Sequence, residues 1–130
     1  MTVIGIIAQG TMGSGVGRRL RESGAEVRTL LSGRSPASAE RARAAGMVAA
    51  GDERALLEGA VFFLSILPPG EAEPLARRLA PTLTVLDRKP VYIDCNAVSP
   101  QTAIRIGDVI KPTGAHFVDA GIIGGPPRPG

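Results

Sequence analysis

The chain has 130 residues, enough to bury one hydrophobic core but not two. Apolar residues make up 44% and charged residues 21% of it, a composition that excludes an intrinsically disordered protein. The net charge is +3, but basic residues alternate with acidic ones, which favours solvated helix faces over a nucleic-acid-binding surface. With 3% aromatic residues, we expect a core of Val, Ile, Leu and Ala.

The single cysteine, Cys95, excludes an internal disulfide and favours a reducing compartment. No apolar stretch reaches the roughly 18 residues of a membrane span. Nothing before the first predicted strand has the pattern of a signal peptide. We therefore expect a cytoplasmic protein without a membrane or nucleic-acid partner.

The chain alternates apolar runs with amphipathic segments. In chain order, the predicted elements are strand 3–8, helix 12–23, strand 26–31, helix 36–45, strand 46–49, helix 53–58, strand 60–67, helix 71–79, strand 91–94, helix 100–110 and strand 116–119. Gly24 ends the first helix, and Asp52 caps the third. Ser35-Pro36 and Ser99-Pro100 each combine an N-cap with a first-turn proline. The tripeptide 68–70 (Pro-Pro-Gly) ends the preceding strand, and the fourth helix follows it.

A glycine-rich turn follows the first strand directly. Ala8, Gly10 and Gly13 have the spacing A-x-G-x-x-G, the dinucleotide fingerprint with alanine in place of its first glycine. Gly10 allows a close approach of the backbone to a pyrophosphate, and Gly13 allows the helix to pack against the strand. The helix then directs its free N–H groups and positive dipole end at the phosphates. We therefore predict that residues 8–13 (Ala8, Gln9, Gly10, Thr11, Met12 and Gly13) bind a nucleotide.

The alternation of strands and helices defines the expected fold class, α/β. Residues 60–67 are almost entirely apolar, which is typical of a strand covered on both faces in a parallel sheet. With right-handed crossovers, this predicts a doubly wound parallel sheet between two helical layers, the three-layer α/β/α Rossmann fold. The expected strand order is 3-2-1-4-5-6.

The loop after the second strand bears on which nicotinamide cofactor binds. In this fold, an acidic residue near that point holds the ribose 2′-hydroxyl of NAD, but no carboxylate lies between Glu26 and Glu40. Ser32, Arg34 and Ser35 instead suit a 2′-phosphate, because arginine offers planar, charged donors. This pattern predicts NADP in preference to NAD. The alternative is that Arg34 is an ordinary loop residue.

Four motifs occur in a fixed order along the whole chain. They are Ile4-Gly5 with Gly10-Thr11-Met12-Gly13, Leu67-Pro68, the run 94–100 (DCNAVSP) and the run 119–125 (DAGIIGG). Together they resemble the β-hydroxyacid dehydrogenase family, which includes 6-phosphogluconate and 3-hydroxyisobutyrate dehydrogenases. Within that family, the chain is most similar to 6-phosphogluconate-dehydrogenase-like proteins whose second half is a helical domain of unassigned function.

The resemblance implies cofactor contacts beyond the glycine-rich turn. Leu67 and Pro68 match the loop that lies along the nicotinamide-side ribose. Asn96 and Ala97 stand where the family usually has Ser-Thr, near the nicotinamide. Arg34 matches the arginine common in NADP-using members.

The resemblance also bears on the substrate. Gly124 and Gly125 match the last two residues of the family's Ser-Gly-Gly substrate loop, and Ile123 replaces its serine. In this chain, the family's usual hydroxyacid substrate would therefore lack the serine hydroxyl that binds it. The family's catalytic lysine lies on a helix after this loop, beyond residue 130.

Oxidation of an alcohol also needs a base for the hydroxyl proton. The candidates within the chain are Lys89, Lys111, His116, Cys95, Asp94 and Asp119. Neither lysine stands at the carboxyl end of a strand, and His116 belongs at the opposite edge of the sheet. We interpret Cys95 as a buried, inert thiol and both aspartates as acceptors of loop N–H groups. We therefore assign no catalytic residue.

These observations predict a dinucleotide-binding domain over residues 1–120 and a Gly/Pro-rich tail over residues 121–130 that leads to a second domain. The leading hypothesis is the NADP-binding domain of an oxidoreductase that acts on a small hydroxyacid-like substrate and forms a homodimer at full length. The alternative is a stand-alone nucleotide-binding or sensor module without catalysis. A protein-interaction domain on the same scaffold is disfavoured by the intact phosphate turn.

Overall fold

The computed structural model describes residues 2–8, 10–30 and 36–120. The strands are β1 (Val3–Ala8), β2 (Glu26–Leu30), β3 (Val48–Ala50), β4 (Phe62–Ile66), β5 (Val91–Asp94) and β6 (Phe117–Asp119). The helices are α1 (Gly10–Glu22), α2 (Pro36–Ala44), α3 (Glu53–Leu57), α4 (Pro69–Val85) and α5 (Pro100–Ile110), with one 3₁₀ turn at Lys111–Thr113. The described strands form one parallel sheet in the order 3-2-1-4-5-6, which confirms the predicted fold class.

Two apolar clusters lie on opposite faces of the sheet, since neighbouring residues of a strand alternate between faces. On one face, Leu56 of α3, Leu79 of α4 and Ile106 of α5 are fully buried against the sheet. On the other face, Ile6 and its neighbours are covered by side chains of α1. The sheet is therefore the middle of three layers, as predicted.

The expectation of a purely aliphatic core is wrong. Phe63, Tyr92 and Phe117 lie side by side on β4, β5 and β6, because the parallel register aligns them. The ring centroids of Phe63 and Tyr92 are 5.0 Å apart, and those of Tyr92 and Phe117 are 6.2 Å apart. Three of the four aromatic residues of the chain are thus packed in the core on the side of the sheet that α4 and α5 cover.

Helix α4 is longer than predicted at both ends, covering Pro69–Val85 rather than 71–79. Pro69 belongs to the helix and not to the turn before it, because a proline suits the first helical position, where the N–H has no intrahelical partner. The helix also continues through Pro74 and Pro81, although each proline removes one intrahelical hydrogen bond. Its buried face comprises Ala72, Leu75, Ala76, Leu79 and Leu83, the last of which lies past the predicted end. Burial of this face against the core outweighs the two lost bonds.

Other element boundaries differ by small amounts. Helix α1 begins two residues earlier than predicted, and β3 begins at Val48 because Gly46 turns the chain with a φ of +79°. The predicted cap of α3 is confirmed, since Asp52 accepts a 2.7 Å hydrogen bond from the Ala55 N–H. The predicted cap of α5 is confirmed as well, with Ser99 Oγ accepting from the Thr102 N–H at 3.2 Å.

The prediction that the fourth strand is covered on both faces is only partly correct. Phe63, Ser65 and Ile66 are buried, but Phe62 at the start of β4 remains 38% exposed. Among the described elements, the main contacts of α1 with the sheet are to β1 and β2. Within the described ranges, no helix combines the length and apolarity needed to cross a bilayer.

Candidate functional site

The strand order reverses between β1 and β4, which are neighbours in the sheet. Ala8 at the end of β1 is in register with Ile66 at the end of β4. From these two strand ends the chain passes to α1 on one face and to α4 on the other. Such a divergence opens a crevice outside the carboxyl ends of the strands, where ligands bind in open α/β sheets.

The start of α1 forms one side of this crevice. Gly10, Thr11, Met12 and Gly13 make up the first turn of the helix, two positions after Ala8. No acidic side chain lies in this turn, whereas α3 and α4 carry Glu53 and Glu71 in theirs. The unpaired N–H groups and the positive end of the helix dipole therefore face the crevice without a competing carboxylate. This arrangement fits the pyrophosphate of a dinucleotide.

The loop after β4 forms the other side. Leu67 is half-buried, and Pro68 is exposed and occupies the N-cap position of α4 without a side-chain cap hydrogen bond. The Leu67 N–H donates a 2.6 Å hydrogen bond to Asn96 Oδ1, from the loop after β5. Ala97 follows and is exposed. The structure thus brings Leu67, Pro68, Asn96 and Ala97 to one edge of the sheet, the edge at which β1 ends.

Asp94 ends β5 with its side chain almost fully buried. Its Oδ1 accepts a 2.8 Å hydrogen bond from the Asn96 N–H, as expected for an aspartate that holds a loop, while Oδ2 finds no partner among the described residues. Burial raises the pKa of Asp94, and the charge of Asp119 adds to this effect, whereas the Asn96 N–H opposes it. Asp119 lies in register with Asp94 on β6 and is exposed.

Of the remaining catalytic candidates, the two lysines and His116 do not stand in the crevice. Cys95 is buried, and burial together with the charge of Asp94 raises the pKa of its thiol to about 11, which disfavours the reactive thiolate. The Lys89 ammonium donates to the carbonyls of Thr84 and Leu86. Lys111 follows the end of α5, and His116 precedes β6 at the opposite edge of the sheet.

Seven of the predicted site residues lie outside the described part of the chain: Gln9, Ser32, Arg34, Ser35, Ile123, Gly124 and Gly125. Next to the end of β2, a cavity of about 400 Å³ is lined by Leu30, Gly51, Asp52 and Arg78, among others.

Sequence reasoning missed Ser65. Its side chain is fully buried, and its Oγ accepts a 3.0 Å hydrogen bond from Asn96 Nδ2. The signal was present, because Ser65 is the one hydroxyl within the apolar run 60–67. A lone polar residue in a buried strand needs a hydrogen-bond partner.

The family model for the NAD-binding domain of 6-phosphogluconate dehydrogenase matches residues 3–128 of the chain. The chain belongs to this family. It is therefore an NAD-binding domain of oxidoreductase type, which confirms the resemblance drawn from the four motifs. No curated protein matches the chain significantly.

Solved structures agree with this assignment. A conserved protein of unknown function with structural similarity to 3-hydroxyacid dehydrogenases is 34% identical, with a TM-score of 0.80 over 95% of this chain and 44% of that one. The 3-hydroxyisobutyrate dehydrogenase of Mycobacterium tuberculosis, solved with L-serine, is 25% identical, with a TM-score of 0.80 over 96% of this chain and 42% of that one.

An imine reductase variant from Myxococcus stipitatus, solved with NAD⁺, shares the fold at 20% identity, with a TM-score of 0.73 over 96% of this chain and 41% of that one. The NAD-binding domain thus spans less than half the length of each of these three proteins.

Proposed function

We propose that this domain supplies the cofactor site of an NADP-dependent oxidoreductase that transfers hydride between NADP and a small hydroxyacid-like substrate. The observation that carries the proposal is the start of α1 at Gly10, directly after β1 and beside β4, in a chain matched by the family model over residues 3–128. The relative solved with L-serine supports a small, hydroxylated substrate.

The proposed cofactor extends along the carboxyl edge of the sheet. Its pyrophosphate lies at the turn 8–13, and its nicotinamide half lies against Leu67, Pro68, Asn96 and Ala97. The 2′-phosphate is bound by Arg34 with Ser32 and Ser35, because an arginine flanked by hydroxyls replaces the acidic residue that NAD requires.

We further propose that the catalytic base comes from outside residues 2–120. In the described part of the chain, the ionisable groups at the ends of β5 and β6 are Asp94 and Asp119, and Asp94 already accepts the Asn96 N–H. A lysine on a downstream helical domain, as in the family, would complete the site, with Ile123, Gly124 and Gly125 beside the substrate. The full-length protein is proposed to be a cytoplasmic homodimer.

Calorimetric titration with NADPH and NADH tests the cofactor assignment. We expect NADPH to bind about tenfold or more tightly, since a charged hydrogen bond of arginine to phosphate contributes about 1.5–3 kcal/mol. Arg34→Ala should remove most of this difference. Equal affinities of the unsubstituted protein for NADPH and NADH would reject the NADP preference. If neither nucleotide binds, the proposed function is rejected.

A sensor module without catalysis is the second candidate, favoured by the structural use of Asp94. Turnover assays on the full-length protein with β-hydroxyacids distinguish the two candidates, because a sensor would bind NADPH without oxidising or reducing any of them. Residues 1–130 by themselves are expected to show no turnover, since loss of the proton-transfer group typically costs about 10²–10⁴-fold in rate.

A further inference from the structure

Asn96 links the loop after β5 to the loop after β4. Its side chain is buried, with 4% exposed, although it lies in a connection between elements. Oδ1 accepts from the Leu67 N–H at 2.6 Å, and Nδ2 donates to Ser65 Oγ at 3.0 Å. Its own N–H donates to Asp94 Oδ1 at 2.8 Å, and its carbonyl accepts from the Val98 N–H at 3.0 Å.

The orientation of the Asn96 amide follows from these partners. A backbone N–H can only donate, so the atom facing Leu67 must be the amide oxygen. The NH₂ group then faces Ser65 Oγ, which accepts. The side chain of Asn96 thus supplies an acceptor to the loop after β4 and a donor to the end of β4. Both its oxygen and its nitrogen are engaged within the protein.

We propose that Asn96 is a positioning residue, which holds Leu67 and Pro68 in place for the nicotinamide half of the cofactor and does not bind the cofactor through its own amide. The inference rests on the proposed function and deepens it. With the Leu67 N–H anchored, Pro68 has a defined position at the start of α4, on the β4 side of the crevice. Without Asn96, the Leu67 N–H and the Ser65 hydroxyl would both lose a buried partner.

The test compares two ligands in Asn96→Ala. NADPH reaches both halves of the proposed site, whereas adenosine 2′,5′-bisphosphate reaches only the part at the glycine-rich turn and Arg34. We expect the dissociation constant of NADPH to rise about tenfold and that of the bisphosphate to stay within about twofold. Hydrogen exchange of the Leu67 amide, followed by NMR, should be faster in the variant.

Ser99→Ala is the matched control. It removes a cap hydrogen bond in the same loop, but its partners are in α5 and not in the loop after β4. It should leave NADPH affinity and Leu67 exchange unchanged. If Asn96→Ala does not fold, Asn96→Ser keeps a hydroxyl that is too short to reach both partners, and it should show the same selective loss of NADPH.

An unchanged NADPH affinity overturns the proposal, as does a parallel loss of both ligands, which would indicate a general loosening of the fold. Unchanged protection of the Leu67 amide also overturns it. If the unsubstituted protein binds neither ligand, the proposed function fails and this inference fails with it. That result is distinguishable because it appears before any substitution is made.

Discussion

Replacing Gly5 by alanine is expected to destabilise the domain, because α3 lies against the middle of β1. A Cβ atom on residue 5 would lie 3.2 Å from the carbonyl oxygen of Leu56 and 3.3 Å from Cδ1 of both Leu56 and Phe63. The first contact is with backbone, and both side chains are fully buried in the core. None of these atoms can move away without displacing α3 or its neighbours.

The expected size follows from two opposing effects. Overpacking a core by one carbon atom costs about 1–3 kcal/mol. The loss of glycine's freedom in the unfolded chain stabilises the folded state by about 0.4–1 kcal/mol wherever alanine fits. Gly51→Ala is a matched control, since its added Cβ has no heavy atom within 4 Å among the described residues other than its chain neighbours. The difference between the two variants therefore isolates the steric cost.

Urea denaturation followed by circular dichroism measures this difference. We expect Gly5→Ala to have a free energy of unfolding about 1–3 kcal/mol below that of Gly51→Ala. In thermal unfolding, each kcal/mol of this difference corresponds to a decrease of about 4 °C in Tm for a domain of this size. A difference below about 0.5 kcal/mol would refute the reasoning, because α3 would then adjust to the added methyl group without cost.

Gly10→Val should abolish dinucleotide binding in calorimetry, because a branched side chain would occupy the space of the pyrophosphate. Circular dichroism should show that the variant is folded, and an unfolded variant would indicate a structural role for Gly10 instead. Leu79→Ala should lower the free energy of unfolding by about 2–5 kcal/mol in urea, since this side chain is fully buried. Burial raises the pKa of Asp94 in the folded state, so its contribution to stability is present in acid and falls as pH rises through that pKa. Asp94→Asn should remove this decline, and parallel pH profiles of the two proteins would contradict it.

The place of the candidate site was predictable because its signals are local. Gly10 and Pro68 lie within two residues of the end of a predicted strand, and Pro100 opens the helix that follows the predicted strand 91–94. Parallel strands all end at one edge, so the three loops must gather there. The hydrogen bonds within the site were not predictable: Asn96 contacts residues 29 and 31 positions away, and pairs at that distance depend on the strand register. The role of Arg34 stays a prediction, since this residue lies outside the described part of the chain.

The sequence by itself determined the alternation of strands and helices, the strand order and the caps at Asp52 and Ser99, because these depend on residues within one turn of each other or on general rules of chain handedness. Tertiary structure decided the length of α4, the row of aromatic rings across β4, β5 and β6, and the link from Asn96 to Leu67. Two prolines predict a shorter α4, and burial of its apolar face on the sheet overrides them. The rings and the amide meet only after separate strands have paired, and no local pattern specifies the register of that pairing.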